Sequence, residues 1–106
     1  MKVTIVQNDN VVYVDGVAYP VDCSSLPTYF RAIQWNGVSG EIEFDVDAKG
    51  RQLPNLKITD FSPYQYLVEM WEASKAAALK AQVEEAALVR KLAEEREAQN
   101  AKKKKG

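Results

Sequence analysis

From Tyr64 to Lys105 the chain contains neither glycine nor proline. No residue in that run stops a helix, and most favour one. A start signal stands just before it, in Phe61-Ser62-Pro63-Tyr64-Gln65. Ser62 and Gln65 have the spacing of a capping box, in which each side chain meets the other residue's backbone N–H. Pro63 falls at the first helical position, where its fixed φ is helical and its missing N–H costs nothing. Phe61 and Tyr66 occupy the positions of a hydrophobic staple. These signals predict a helix over 62–101. At 1.5 Å per residue its 63–101 stretch is about 58 Å long.

The residues before it read differently. Met1–Val6 predicts a first strand, Val11–Val14 a second and Val17–Tyr19 a third. Asp15-Gly16 between the last two is a type I′ hairpin signal. Pro20 ends pairing or sits on an edge. Residues 23–30 read as a connector, with Leu26 and Phe30 plugging the end of the core. Arg31–Trp35 and Glu41–Asp45 form a second hairpin, whose loop at Asn36-Gly37 is either tight or longer and bulged. Alternation places Ile33 and Trp35 on one face, and Ile42 and Phe44 opposite Glu41 and Glu43. Leu56–Ile58 is a last short strand. The fold class expected is α+β: a small antiparallel β-meander head over 1–61, then one long C-terminal α-helix.

The helix itself divides. Tyr64, Leu67, Val68 and Trp71 share one face at helical spacing. This predicts that 62–73 pack on the head, with Trp35, Phe44, Leu67 and Trp71 as core or docking residues. Continuing that face gives an interrupted stripe through Ala78, Gln82, Glu85, Ala86, Val89, Leu92 and Ala93. Leu79 and Val83 lie to one side of it and Leu88 to the other. A head of about 60 residues is only about 27 Å across, so 74–101 are expected to project. Leu79, Val83, Ala86, Val89 and Leu92 then predict a partner, most simply further copies of the same helix. The heptad is too irregular for a strict coiled coil. Residues 102–106 form a basic tail.

Composition narrows the chemistry. There is no histidine, which removes the commonest general base and metal ligand together. Ser-His-Asp and Cys-His arrangements are thereby excluded. Cys23 is the single cysteine. It has no neighbouring lysine or arginine to stabilise a thiolate, and reads as a structural thiol. No stretch reaches the roughly 18 apolar residues of a membrane span, and the N-terminus turns polar too soon for a signal peptide. Residues 1–61 carry a net charge of −3 and residues 62–106 of +2.

Three motifs invite a functional reading. Glu41, Glu43, Asp45 and Asp47 alternate along a strand and its exit. A calcium loop needs a fixed register, however, and Lys49 stands in a ligand position, so a solvated outer face is expected. Lys102–Lys105 lack the interleaved aromatics and arginines of a nucleic-acid surface; a solvated tail is expected, with DNA contact weak and salt-sensitive at most. The tryptophans and tyrosines are mostly core, with one or two free to anchor an interface. No metal, cofactor or small-molecule substrate is expected, and no catalytic residue is identified.

The ordered set Val12–Gly16, Val21–Pro27, Ala32–Gly37, Gly40–Phe44 and Ile58–Gln65, with Trp71, resembles a family of small tailed-phage and prophage proteins encoded beside tail-fibre genes. The likeness covers about residues 1–73 and leaves the helical tail outside. Some relatives carry a cysteine-bearing insert between the second hairpin and the last strand; a short 47–55 loop replaces it here. The resemblance implies a non-enzymatic role at the tail or tail fibre, as a virion component or as an assembly chaperone absent from the mature particle. It implies phage tail or fibre proteins as partners, and the virion or the bacterial host cytoplasm as location.

Overall fold

In the computed structural model, which describes residues 1–105 and the side chains of residues 1–100, the first sixty residues lay down six short strands. These are β1 (Val3–Val6), β2 (Val11–Val14), β3 (Val17–Pro20), β4 (Phe30–Trp35), β5 (Gly40–Phe44) and β6 (Leu56–Ile58). A 3₁₀ turn, Ser62–Tyr64, leads into one helix, α1 (Gln65–Lys105). All pairings are antiparallel and the sheet order is β3-β2-β1-β4-β5-β6. The α+β class expected from the sequence is the one observed. Two meanders are present, joined through β1, which pairs with both β2 and β4.

The turns follow from their residues. Asp15 and Gly16 both have positive φ, 49° and 84°, as a type I′ turn requires. The second hairpin takes the longer of its two options. Its four-residue loop runs from Asn36 to Ser39, closed by Asn36 N–H donating to the Ser39 carbonyl at 3.0 Å. The Asn36 side chain then accepts from the Val38 and Ser39 amides. Asn10, also at positive φ, steers the connector. Its backbone carbonyl accepts from Val21 N–H, and its side-chain oxygen from Cys23 N–H at 2.9 Å.

Register decides which face is dry. Ile5 lies opposite Val12 on one side and Ile33 on the other, and Ile33 opposite Ile42. This apolar row crosses four strands. A second row joins Val14, Val3 and Trp35. The connector covers these rows with Val21, Cys23 and Leu26, and the helix start with Phe61, Leu67, Val68 and Trp71, in one buried cluster. Each fully buried aliphatic side chain contributes about 1.5–3 kcal/mol. The opposite face carries Tyr13, Thr4, Gln34, Glu41 and Lys57 in register. No element covers it among the described residues.

The helix start differs from the expected capping box. Ser62 and Gln65 do not bond side chain to backbone; no side-chain cap bond is made there. Instead Asp60 accepts the Ser62 N–H at 3.0 Å and the Ser62 hydroxyl at 2.9 Å. Ser62 lies inside the 3₁₀ turn, with Gln65 N–H donating to its carbonyl. The carboxylate two residues upstream outcompetes the Gln65 side chain for the Ser62 amide, because it accepts the amide and the hydroxyl at once. The staple also shifts. Phe61 meets Tyr64, at 6.1 Å between ring centroids, while Tyr66 hydrogen-bonds Ser25 at 2.7 Å.

Those two bonds hold the Asp60 carboxyl below its ordinary range, the Ser62 amide being the larger cause and its hydroxyl the next. A depressed folded-state pKa gives stability present above the unfolded value and lost as pH falls through the folded one. Thermal midpoints of the native protein and of Asp60→Asn, followed from pH 7 down to pH 2, are therefore expected to converge with acid. A gap between them that stays constant with pH would refute this role.

The chain divides into two units, Met1–Lys75 and Ala76–Gly106. The first contains the whole sheet and the opening turns of α1, two residues beyond the expected boundary at 73. The second is helix alone. No helix of the described residues is long and apolar enough to cross a membrane.

Candidate functional site: exposed apolar surfaces of head and helix

In the second unit α1 has no sheet to cover its apolar side chains. Leu79, Val83, Leu88, Val89 and Leu92 are each between 48% and 69% exposed. Ala86 is exposed as well. Helix propensity explains why the segment stays helical without a core, since alanine, glutamate, lysine, leucine and arginine dominate it. It does not explain why branched apolar side chains recur there. An exposed helix gains nothing from Val83 or Leu92 unless another surface covers them.

The predicted core residues fall into two groups. Leu67 and Trp71 are buried, whereas Trp35 and Phe44 are half-buried and packed against the cluster. Trp71 meets Tyr19 edge-on at 5.6 Å and donates its indole N–H to the Val17 carbonyl at 2.9 Å. Trp35 stacks on Phe61 at 5.3 Å. Neither tryptophan is an open anchor.

A second exposed apolar surface lies at the far end of β4 and β5. Phe30, Phe44 and Tyr29 make a three-ring cluster with centroids 5.3 to 6.1 Å apart. Phe30 is partly buried and packs against the core cluster. Tyr29 remains mostly exposed. Gln52 donates to the carbonyls of Phe44 and Leu53, which sets the 47–55 loop against this end. Val46, Leu53 and Leu56 are exposed around it. Alternation alone did not reveal this rim, because Tyr29, Val46 and Leu53 stand outside any regular strand.

The acidic run is distributed among separate partners. Glu43 bridges Arg31 at 3.2 Å and accepts from Gln34, which in turn accepts from Thr4. Glu41 accepts from Asn55. Asp47 holds Arg51 at 2.9 Å and the amides of Lys49 and Arg51. These bonds lower the Asp47 carboxyl, the Arg51 amide being the largest cause. Glu41, Glu43 and Asp47 each organise a separate turn or strand pair. Among the described residues no group of three His, Cys, Asp or Glu side chains is placed to hold a metal.

Cys23 is fully buried, its thiol 3.4 Å from the Val21 carbonyl. Burial raises its pKa, with the nearby Asp22 charge adding to the effect. That is the environment of a structural thiol rather than a nucleophile. The side chains of Lys102–Lys105 lie outside the described residues. No protein-family model, curated protein or solved structure matches the chain.

Proposed function

We propose that this chain is a non-enzymatic phage tail or tail-fibre accessory protein. Its head docks on a virion component, and its helix bundles with copies of itself. The observation that carries the reading is the set of exposed apolar side chains Leu79, Val83, Val89 and Leu92 in a unit that has no core of its own. The resemblance of residues 1–73 to proteins encoded beside tail-fibre genes supplies the setting. The rim around Tyr29, Val46, Leu53 and Leu56 is the head surface that offers exposed aromatic and aliphatic side chains for docking, flanked by Asp45 and Asp47.

Sedimentation velocity and native mass spectrometry of the isolated protein test the bundling. A self-associated species that falls to monomer in a Val83→Glu/Leu92→Glu variant is expected. A strictly monomeric native protein that also fails to bind tail and fibre proteins refutes the proposal. The resemblance equally supports a second reading, an assembly chaperone that uses the same surfaces transiently. Mass spectrometry of purified virions separates the two: stoichiometric presence means a component, absence a chaperone.

A further inference from the structure

The exposed apolar residues of the second unit do not share one face. Leu79 and Val83 lie within about 40° of each other round the helix, and so do Leu88 and Leu92. Nine residues separate Leu79 from Leu88, and nine separate Val83 from Leu92. Nine residues are about two and a half turns, so the two pairs look to opposite sides. Ala76 and Ala86 extend the first face by about a turn each way, Glu85 and Glu95 bracket the second, and Val89 falls between the two. All eight are exposed. A neighbouring helix covers one side only, so no two-helix pair buries both faces.

We infer, resting on the bundling just proposed, that copies join through unlike faces: the Leu79–Val83 face of one copy seats on the Leu88–Leu92 face of the next. A copy running in the same direction, shifted by nine residues, brings Leu88 onto Leu79 and Leu92 onto Val83. A copy running in reverse brings Leu92 onto Leu79 and Leu88 onto Val83. In both alignments Glu85 and Glu95 come opposite Ala76 and Ala86, whose small side chains leave the carboxylates a path to water. Lys80 lies beside Glu84 of the neighbour in the first alignment, and Glu94 beside Lys75 in the second. Arg90, Arg96 and Glu97 fall opposite uncharged residues.

Like faces match poorly. Setting the second face on itself, leucine on leucine, places Glu85 against Glu95 when one helix is reversed, and each against its own kind when both run together. Setting the first face on itself, leucine on valine, brings Lys80 beside Lys80 in reverse. In parallel it sets Glu72 on Glu72 and Arg90 on Arg90. Helix axes in contact lie about 8–10 Å apart, within roughly one Debye length at physiological salt, so such like charges repel. A contact between unlike faces leaves one of each kind free at the ends of the assembly, and growth continues. Because the faces lie half a turn apart, copies add in a row rather than closing a small ring.

Paired variants test this. Leu79→Gln/Val83→Gln removes the first face and Leu88→Gln/Leu92→Gln the second. Glutamine is a good helix former, and far-ultraviolet circular dichroism of both variants is expected to keep the native helical signal. Sedimentation velocity over a concentration series is expected to show the native protein growing in mass without a plateau, and each variant alone as a monomer. Mixed one to one, the variants retain one intact face of each kind and form a heterodimer of twice the monomer mass that grows no further. Self-association of either variant alone, a mixture that stays monomeric, or a native oligomer of fixed mass overturns the inference. A monomeric native protein overturns the bundling itself.

Discussion

Trp71→Ala is expected to cost the head about 3–5 kcal/mol, the usual range for removing a large buried aromatic. The ring closes the core above the β2–β3 hairpin, edge-on to Tyr19. Its indole N–H satisfies the Val17 carbonyl on the β3 edge. The Lys75 ammonium lies 5.3 Å from the ring centroid on its outer side. Alanine loses all three contacts and opens a cavity against Leu67 and Val68. For a domain of this size each 1 kcal/mol moves the midpoint by about 4–8 °C, so thermal unfolding followed by Trp35 fluorescence should shift by at least about 12 °C. Trp71→Phe keeps most of the apolar contact and removes the donor, and is expected to cost about 1–2 kcal/mol. A neutral Trp71→Ala would mean that the opening turns of α1 do not hold the sheet.

Gly40→Ala is the second large effect. Gly40 opens β5 directly opposite Trp35. A Cβ there would overlap the Gln34 carbonyl and press on the Trp35 Cα, both backbone atoms that no rotamer change can move aside. The hairpin must shift, and Trp35 with it, away from its stack on Phe61. The expected loss is about 3 kcal/mol or more, at the upper end of overpacking costs. Gly50→Ala is the control. Gly50 has φ +78° but open space around it, so the loss there is only the left-handed strain of about 1–2 kcal/mol. Midpoints of urea unfolding for the two variants should rank in that order; equal midpoints would refute the steric argument.

Local signals account for most of what was legible. Val11–Val14 and Leu56–Ile58 are observed with the bounds read from the sequence, and the Asp15-Gly16 turn has the conformation its residues demand. These depend on neighbours a few positions apart. Two features depend on distance and were missed. The β1–β4 pairing joins residues some thirty apart, and strand propensity carries no information about who pairs with whom. The overlap at Gly40 likewise exists only once β4 has set the Gln34 carbonyl beside it. Asp60 shows a third limit: two acceptors competed for one amide, and pattern spacing favoured the wrong one. The exposed apolar side chains of α1 were legible as a surplus over what the head can bury.

The central place of β1 has a kinetic consequence. The β2–β3 and β4–β5 hairpins close locally, on the microsecond scale typical of hairpins. β1 joins β2 across the four-residue 7–10 loop, so what stays open is the joining of the two halves of the sheet, which waits until β1 finds β4 across the intervening connector. That search is the high-contact-order step, and such steps slow folding. The transition state should therefore contain Ile5 and Ile33 in contact before Ile58 or Leu56 is docked. Substitutions at Ile5 would slow folding, whereas those in β6 would mainly speed unfolding. The first strand made is thus the one that decides when the head becomes a single cooperative unit.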